Sequence, residues 1–113
     1  MTDQDNISGM LWQPDPTRKA QSNLSSFMAY AEQQTGMTFN DYAELYQWSI
    51  DNMQDFWSQL WDFCGVIGDK GEQLLLNGED IEHARWFPQA RLNFAQNLLR
   101  ERSDDIAITF RAE

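Results

Sequence analysis

Apolar residues along this chain recur mostly at helical spacing. From about Thr17, the residues Leu24, Phe27, Met28 and Ala31 fall at i, i+3, i+4 and i+7, and Gly36 is placed to end that helix. Asn40 offers an N-cap for a second helix lined on one side by Tyr42, Leu45 and Tyr46. The clearest stripe is Met53, Phe56, Trp57, Leu60, Trp61 and Cys64, a continuous face at the 3.6-residue period. Asp51 and Gln54 are spaced as a capping box before it, and Gly65 is its stop.

Beyond Val66 the pattern changes. Gly68-Asp69-Lys70-Gly71 and Asn77-Gly78-Glu79-Asp80 are turn sequences, and the Leu74-Leu75-Leu76 run between them reads as a strand of a small hairpin. Pro88 suits the first position of a fourth helix, with Leu92, Ala95 and Leu99 on its buried side and Phe94 and Leu98 beside them. Ile106 to Phe110 alternates and reads as a strand. Upstream, residues 1–10 are polar and expected to be disordered, and Leu11-Trp12-Gln13-Pro14-Asp15-Pro16 is an extended arm shaped by its prolines. The expected fold class is therefore mainly α: three to four helices with a small β-hairpin and a terminal strand. A lone terminal strand makes no stable sheet, so the chain is expected to be cut off before its sheet is complete.

Composition narrows the function classes. The 113 residues include eight Lys and Arg against 18 Asp and Glu, a formal net charge of −10. Such a surface repels phosphate and anionic headgroups, which argues against nucleic acid or a membrane as partner. The opening residues hold no basic stretch leading into an apolar run, and one cysteine precludes an internal disulfide, so a reduced cytoplasmic protein is the expectation.

Candidate chemistry is sparse. Cys64 completes an apolar stripe, where a thiol acts as a small hydrophobe, and His83 follows a turn among acidic neighbours. One Cys and one His supply no structural zinc site, and Asp51, Asp55 and Asp62 read as cap, first-turn and surface charges. Gly65, Gly68 and Gly71 are spaced as in phosphate loops, but no strand-to-helix crossover surrounds them and Asp69 and Glu72 stand close by. Turn chemistry explains them better. No catalytic, cofactor-binding or metal-ligating residue is assigned.

One run stands out: Ala84-Arg85-Trp86-Phe87-Pro88-Gln89-Ala90-Arg91-Leu92-Asn93-Phe94-Ala95-Gln96-Asn97-Leu98-Leu99. Asn93 and Asn97 lie one helical turn apart beside large hydrophobes, although Asn is a mediocre helix former. Either both are exposed polar residues, or each amide is partnered by backbone groups of an adjacent segment.

The ARWFPQARLNFAQNLL run resembles the N-terminal region of acyl-CoA synthetases of the acetyl-CoA synthetase type. LWQPDP, SNLSSFM, YAELYQWSI and DFWSQLWDFCGV precede it in the same order, so the resemblance covers Leu11 to Phe110. Acetyl- and propionyl-CoA synthetases more typically end this region GxLNxxxNxLDRH. Asn97-Leu98-Leu99-Arg100-Glu101-Arg102 departs from that ending and favours the acetoacetate–CoA ligase branch.

The resemblance implies an adenylate-forming ligase that uses ATP, Mg²⁺ and CoA, with residues 11–103 as its helical N-terminal domain and 104–113 as the first strand of a missing catalytic core. The family's phosphate loop and catalytic lysine lie downstream and have no counterpart here, so the chain itself is expected to hold no cofactor and to catalyse nothing. Its implied partner is the catalytic core, in cis or in trans, with Trp86, Phe87, Asn93 and Asn97 as the docking face. The competing expectation is a free-standing acidic helical module that binds another chain or self-associates.

Overall fold

A computed structural model describes residues 9–113. The expected disorder of residues 1–10 falls, up to residue 8, outside the described residues. The chain divides into two compact units, Met1–Ile50 and Asp51–Glu113. Five helices and four two-residue strands are formed among the described residues, a mainly helical fold with small hairpin ladders. No helix among them is long and apolar enough to cross a membrane.

In the first unit, helix α1 (Pro16–Ala20) and helix α2 (Asn23–Thr35) replace the one helix expected from Thr17. The break is a second capping signal. Asp15 accepts the Arg18 N–H at 2.9 Å to start α1 with Pro16 at its first position, and Ser22 accepts the Ser25 N–H at 3.1 Å to start α2. Gly36 ends α2 in the left-handed conformation at φ 72°, as expected. Helix α3 (Tyr42–Asp51) is capped by Asp41, whose Oδ1 accepts the Glu44 N–H at 3.0 Å. The expected cap, Asn40, instead donates its N–H to Glu44 at 2.7 Å. The reciprocal pair is thus a capping box shifted one residue along.

A core forms here. Phe27 and Ala31 on α2, Leu45 and Trp48 on α3 and Phe39 from the connecting loop are all buried. Glu32 accepts the Phe39 N–H at 2.7 Å, which fastens that loop to α2, and the Phe39 ring packs tilted against Trp48 with centroids 5.5 Å apart. The face expected from Tyr42, Leu45 and Tyr46 is therefore rotated: both tyrosines are exposed and Trp48 takes the inner position.

The second unit is built differently. Helix α4 (Met53–Phe63) carries the aromatic stripe, with Asn52 at its N-cap position; Asp51 is the last residue of α3 instead. Strand β1 (Gly68–Asp69) pairs antiparallel with β4 (Arg91–Leu92), and β2 (Leu75–Leu76) pairs antiparallel with β3 (Arg85–Trp86) inside it in sequence. The hairpin expected at Leu74–Leu76 is thus β2–β3. Helix α5 (Phe94–Leu98) is short, because Leu92 lies in β4. Pro88 sits in a turn closed by the Ala90 N–H on the Phe87 carbonyl at 2.9 Å, where its fixed φ favours the second turn position over a helix start.

Residues 104–113 enter no ladder, and Ile106, Ile108 and Phe110 are exposed. An alternating segment needs a neighbouring strand for its backbone groups, and none is beside it here. The three spaced glycines have backbone reasons. Gly65 and Gly71 hold positive φ, and a Cβ on Gly68 would stand 2.7 Å from the Leu92 Cβ and 2.8 Å from the Arg91 carbonyl oxygen.

No residue of Asp51–Glu113 is buried. Two substitutions expose the contrast. Leu45→Ala is expected to cost about 2–5 kcal/mol in urea denaturation of this chain. Leu98→Ala, at an exposed site, is expected to change stability by less than about 0.5 kcal/mol.

Candidate docking surface

Helix α4 turns Trp57, Leu60 and Trp61 to one side by its 3.6-residue period, and the β3 corner brings Trp86 and Phe87 to them. Trp57 and Trp86 meet edge to face with centroids 5.5 Å apart, and Trp61 lies 5.0 Å from Phe87. Phe87 is held at φ 45°, a conformation costly for a bulky residue. Its N–H donates to the Leu74 carbonyl at 2.8 Å, and the Trp61 contact holds its ring.

The cluster is open. A cleft of about 300 Å³ is lined by Trp57, Trp86 and Phe87, and a second of about 220 Å³ by Trp57, Leu60, Trp61, Cys64, Val66 and Phe87. Trp86 remains 42% exposed, and Phe94 is 77% exposed, Leu98 67% and Leu99 63%. Large apolar side chains left this open make the surface a candidate interaction site.

The two asparagines serve the fold of this unit. Asn93 is the N-cap of α5, its Oδ1 accepting the Gln96 N–H at 3.1 Å. The Asn97 amide accepts the Ile67 N–H at 2.7 Å and donates to the Ile67 carbonyl at 2.9 Å and the Asn93 carbonyl at 3.0 Å. Of the two readings open from sequence, partnership with the backbone of an adjacent segment holds for the half-buried Asn97, whereas Asn93 is exposed and caps its own helix. Trp86 and Phe87 belong to the aromatic cluster; Asn93 and Asn97 support the adjoining segment.

Sequence reasoning missed Arg100. Its guanidinium donates to the Cys64 carbonyl at 3.1 Å and the Gly65 carbonyl at 2.8 Å, answering carbonyls that the end of α4 leaves open. A cation after α5 carries no local signal that it caps α4, 36 residues away. Gln89 was missed too: its Oε1 accepts the Glu72 and Gln73 N–H groups at 3.2 and 3.3 Å. Cys64 is exposed at the end of α4, against the expectation that it packs inside, because the cover that Trp86 and Phe87 give the stripe is partial.

His83 Nδ1 lies 2.7 Å from Asp80 Oδ2, with both side chains mostly exposed in a turn. Among the described residues Cys64 and His83 do not bond to each other, and no group of three His, Cys, Asp or Glu is arranged to hold a metal ion.

Residues 42–98 match the family model for the acetyl-coenzyme A synthetase N-terminus. The chain belongs to this family. The acetyl-coenzyme A synthetase N-terminus thus spans α3 through α5, including the aromatic cluster and both asparagines. Among curated relatives, the chain is 40% identical over 103 residues to an acetoacetyl-coenzyme A synthetase of Rhizobium meliloti, covering 91% of this chain and 16% of that protein. It is 35% identical over 100 residues to an acetoacetyl-CoA synthetase of Danio rerio, covering 87% and 15% respectively. A malonamoyl-CoA synthetase of Penicillium aethiopicum is 30% identical over 92 residues, covering 80% of this chain and 12% of that protein. The chain thus spans about a sixth of the length of such relatives. No solved structure matches it.

Asn97→Ala leaves both backbone groups of Ile67 without their partner, so it is expected to cost about 1–3 kcal/mol and to speed hydrogen exchange of the Ile67 amide. Asn93→Ala, a cap loss, is expected to cost about 0.5–2 kcal/mol and to affect chiefly the Gln96 amide. Amide-resolved exchange separates the two.

Proposed function

We propose that this chain acts as the N-terminal, non-catalytic part of an ATP-dependent acetoacetate–CoA ligase and packs against the catalytic core through the aromatic surface of its second unit. The observation that carries this reading is that no residue between Asp51 and Glu113 is buried, although that stretch contains the chain's longest apolar stripe. Side chains of this size recover their hydrophobic stabilisation only when covered. Family membership supports the identity of the cover, because the relatives carry this segment at about a sixth of their length.

In the complete ligase, acetoacetate would attack ATP to give acetoacetyl-adenylate and pyrophosphate. The CoA thiol would then displace AMP to give acetoacetyl-CoA. Mg²⁺ would accompany the nucleotide. On this reading, the contribution of the present residues is to bury apolar surface and to hold the segment that leads to the core. The choice of acetoacetate rests on the names of the relatives and on the Asn97–Arg102 ending. Residues 104–113, whose alternating side chains stand exposed, are proposed to become a strand once a neighbouring strand is supplied.

The test is a chimera in which this chain replaces the matching segment of the Rhizobium meliloti synthetase. Acetoacetate-dependent AMP formation is expected from the chimera and none from the 113-residue chain alone. A chimera that is soluble and folded but forms no AMP would refute the reading.

A further inference from the structure

Phe87 carries a ring where the backbone asks for none. At φ 45° glycine is the residue that adopts the conformation without penalty, and the following Pro88 narrows the choices of Phe87 further. Such strain persists where the neighbourhood over-determines it. The Leu74 carbonyl needs only the N–H of residue 87, which any residue but proline supplies. That hydrogen bond explains the conformation and leaves the ring unexplained.

The two clefts account for the ring. Trp57 and Phe87 are the residues that line both the cleft of about 300 Å³ and the cleft of about 220 Å³. Trp57 comes from α4 and Phe87 from the corner after β3, so together they form a partition between two sockets. One socket is backed by Trp86, the other by Leu60, Trp61 and Val66. No charged side chain lines either. The partition is braced on both sides: Phe87 lies 5.0 Å from Trp61, and Trp57 meets Phe56 at 5.1 Å and Trp86 at 5.5 Å between ring centroids. Braced aromatic side chains beside open apolar pockets are where binding energy concentrates. A flat apolar patch would accept many covers. Two sockets with a wall between them select one shape.

Building on the docking reading above, we infer that Phe87 and Trp57 divide the docking surface in two and that the catalytic core seats one large uncharged apolar side chain in each cleft. Polar or charged side chains are excluded, because they would lose water without finding a partner in these walls. The occupant is the rest of the ligase, since relatives run to about six times the length of this chain. A second copy is a poorer occupant, because two molecules of charge −10 repel.

The experiment compares the chimera described above with the 113-residue chain alone. Cys64 is exposed and lines the smaller cleft, so its alkylation by iodoacetamide, followed by peptide mapping, reports whether that cleft is covered. Alkylation is expected to be about tenfold slower in the chimera than in the chain alone. F87G suits the backbone and removes the partition, so in the chimera it is expected to bring alkylation back close to the rate of the chain alone. A residue needed only for its conformation would tolerate glycine there. V66F fills the smaller cleft from within and is read by hydrogen exchange of the α4 amides, because the added ring itself shields Cys64. It is expected to speed that exchange severalfold in the chimera and to leave it unchanged in the chain alone, where the cleft has room. Where F87G also loosens α4 in the chain alone, V66F decides. Protection in the unsubstituted chimera should persist at about 1 M salt, where charge–charge attraction is screened.

Protection undiminished by F87G or by V66F in the chimera would overturn the two-socket reading and leave docking intact. Protection lost at high salt would overturn the uncharged occupant. Equal alkylation and exchange in the unsubstituted chimera and the chain alone would overturn docking and sockets together.

Discussion

The second unit hangs on a set of hydrogen bonds between side chains near α5 and the backbone that leaves α4. Asn97 takes both backbone groups of Ile67, and Arg100 takes the carbonyls of Cys64 and Gly65. These bonds join points about thirty residues apart in sequence. With no buried side chain to hold the segment, directional polar contacts fix where the chain goes, and apolar contact fills in around them. Two-residue ladders lack the independent stability of a sheet. The strain at Phe87 is sustained by a hydrogen bond to Leu74 and a ring contact to Trp61.

The two units solve opposite problems with similar material. The first closes Phe27, Ala31, Phe39, Leu45 and Trp48 into a small interior and leaves both tyrosines of α3 outside. The second directs Trp57, Trp61, Trp86 and Phe87 toward one another yet keeps them open. Family membership gives this openness a context, because the chain covers only about a sixth of its relatives.

Much of this was legible in the sequence, for physical reasons that differ by element. The α4 stripe is strongly periodic and flanked by a glycine stop, so it survives in the structure to within two residues. The Asn93–Asn97 pair was conspicuous because asparagine is poorly suited to a helix; its partner Ile67 was not, since a backbone group carries no label in the sequence. Leu92 was misassigned because a helical period was extended backward through Pro88 and Arg91, where a turn and a ladder to Gly68 prevail. The rotated α3 face had a similar origin. Tyr42 and Tyr46 fit the period as well as Trp48 does, and only Phe39, packed by the Glu32 bond, decides which side turns inward. Cys64 was placed inside because periodicity reports a face, not what lies over it.

The order of synthesis gives the missing interior of residues 51–113 a further meaning. Domains form as units, N-terminal parts first, as the chain leaves the ribosome. The first unit can close its interior from its own residues as soon as Trp48 has emerged. The second closes none, and Trp57 and Trp86 stay open to water. A formal net charge of −10 sets molecules with such open surfaces against one another, so carboxylates that pair with nothing in the fold still oppose its self-association.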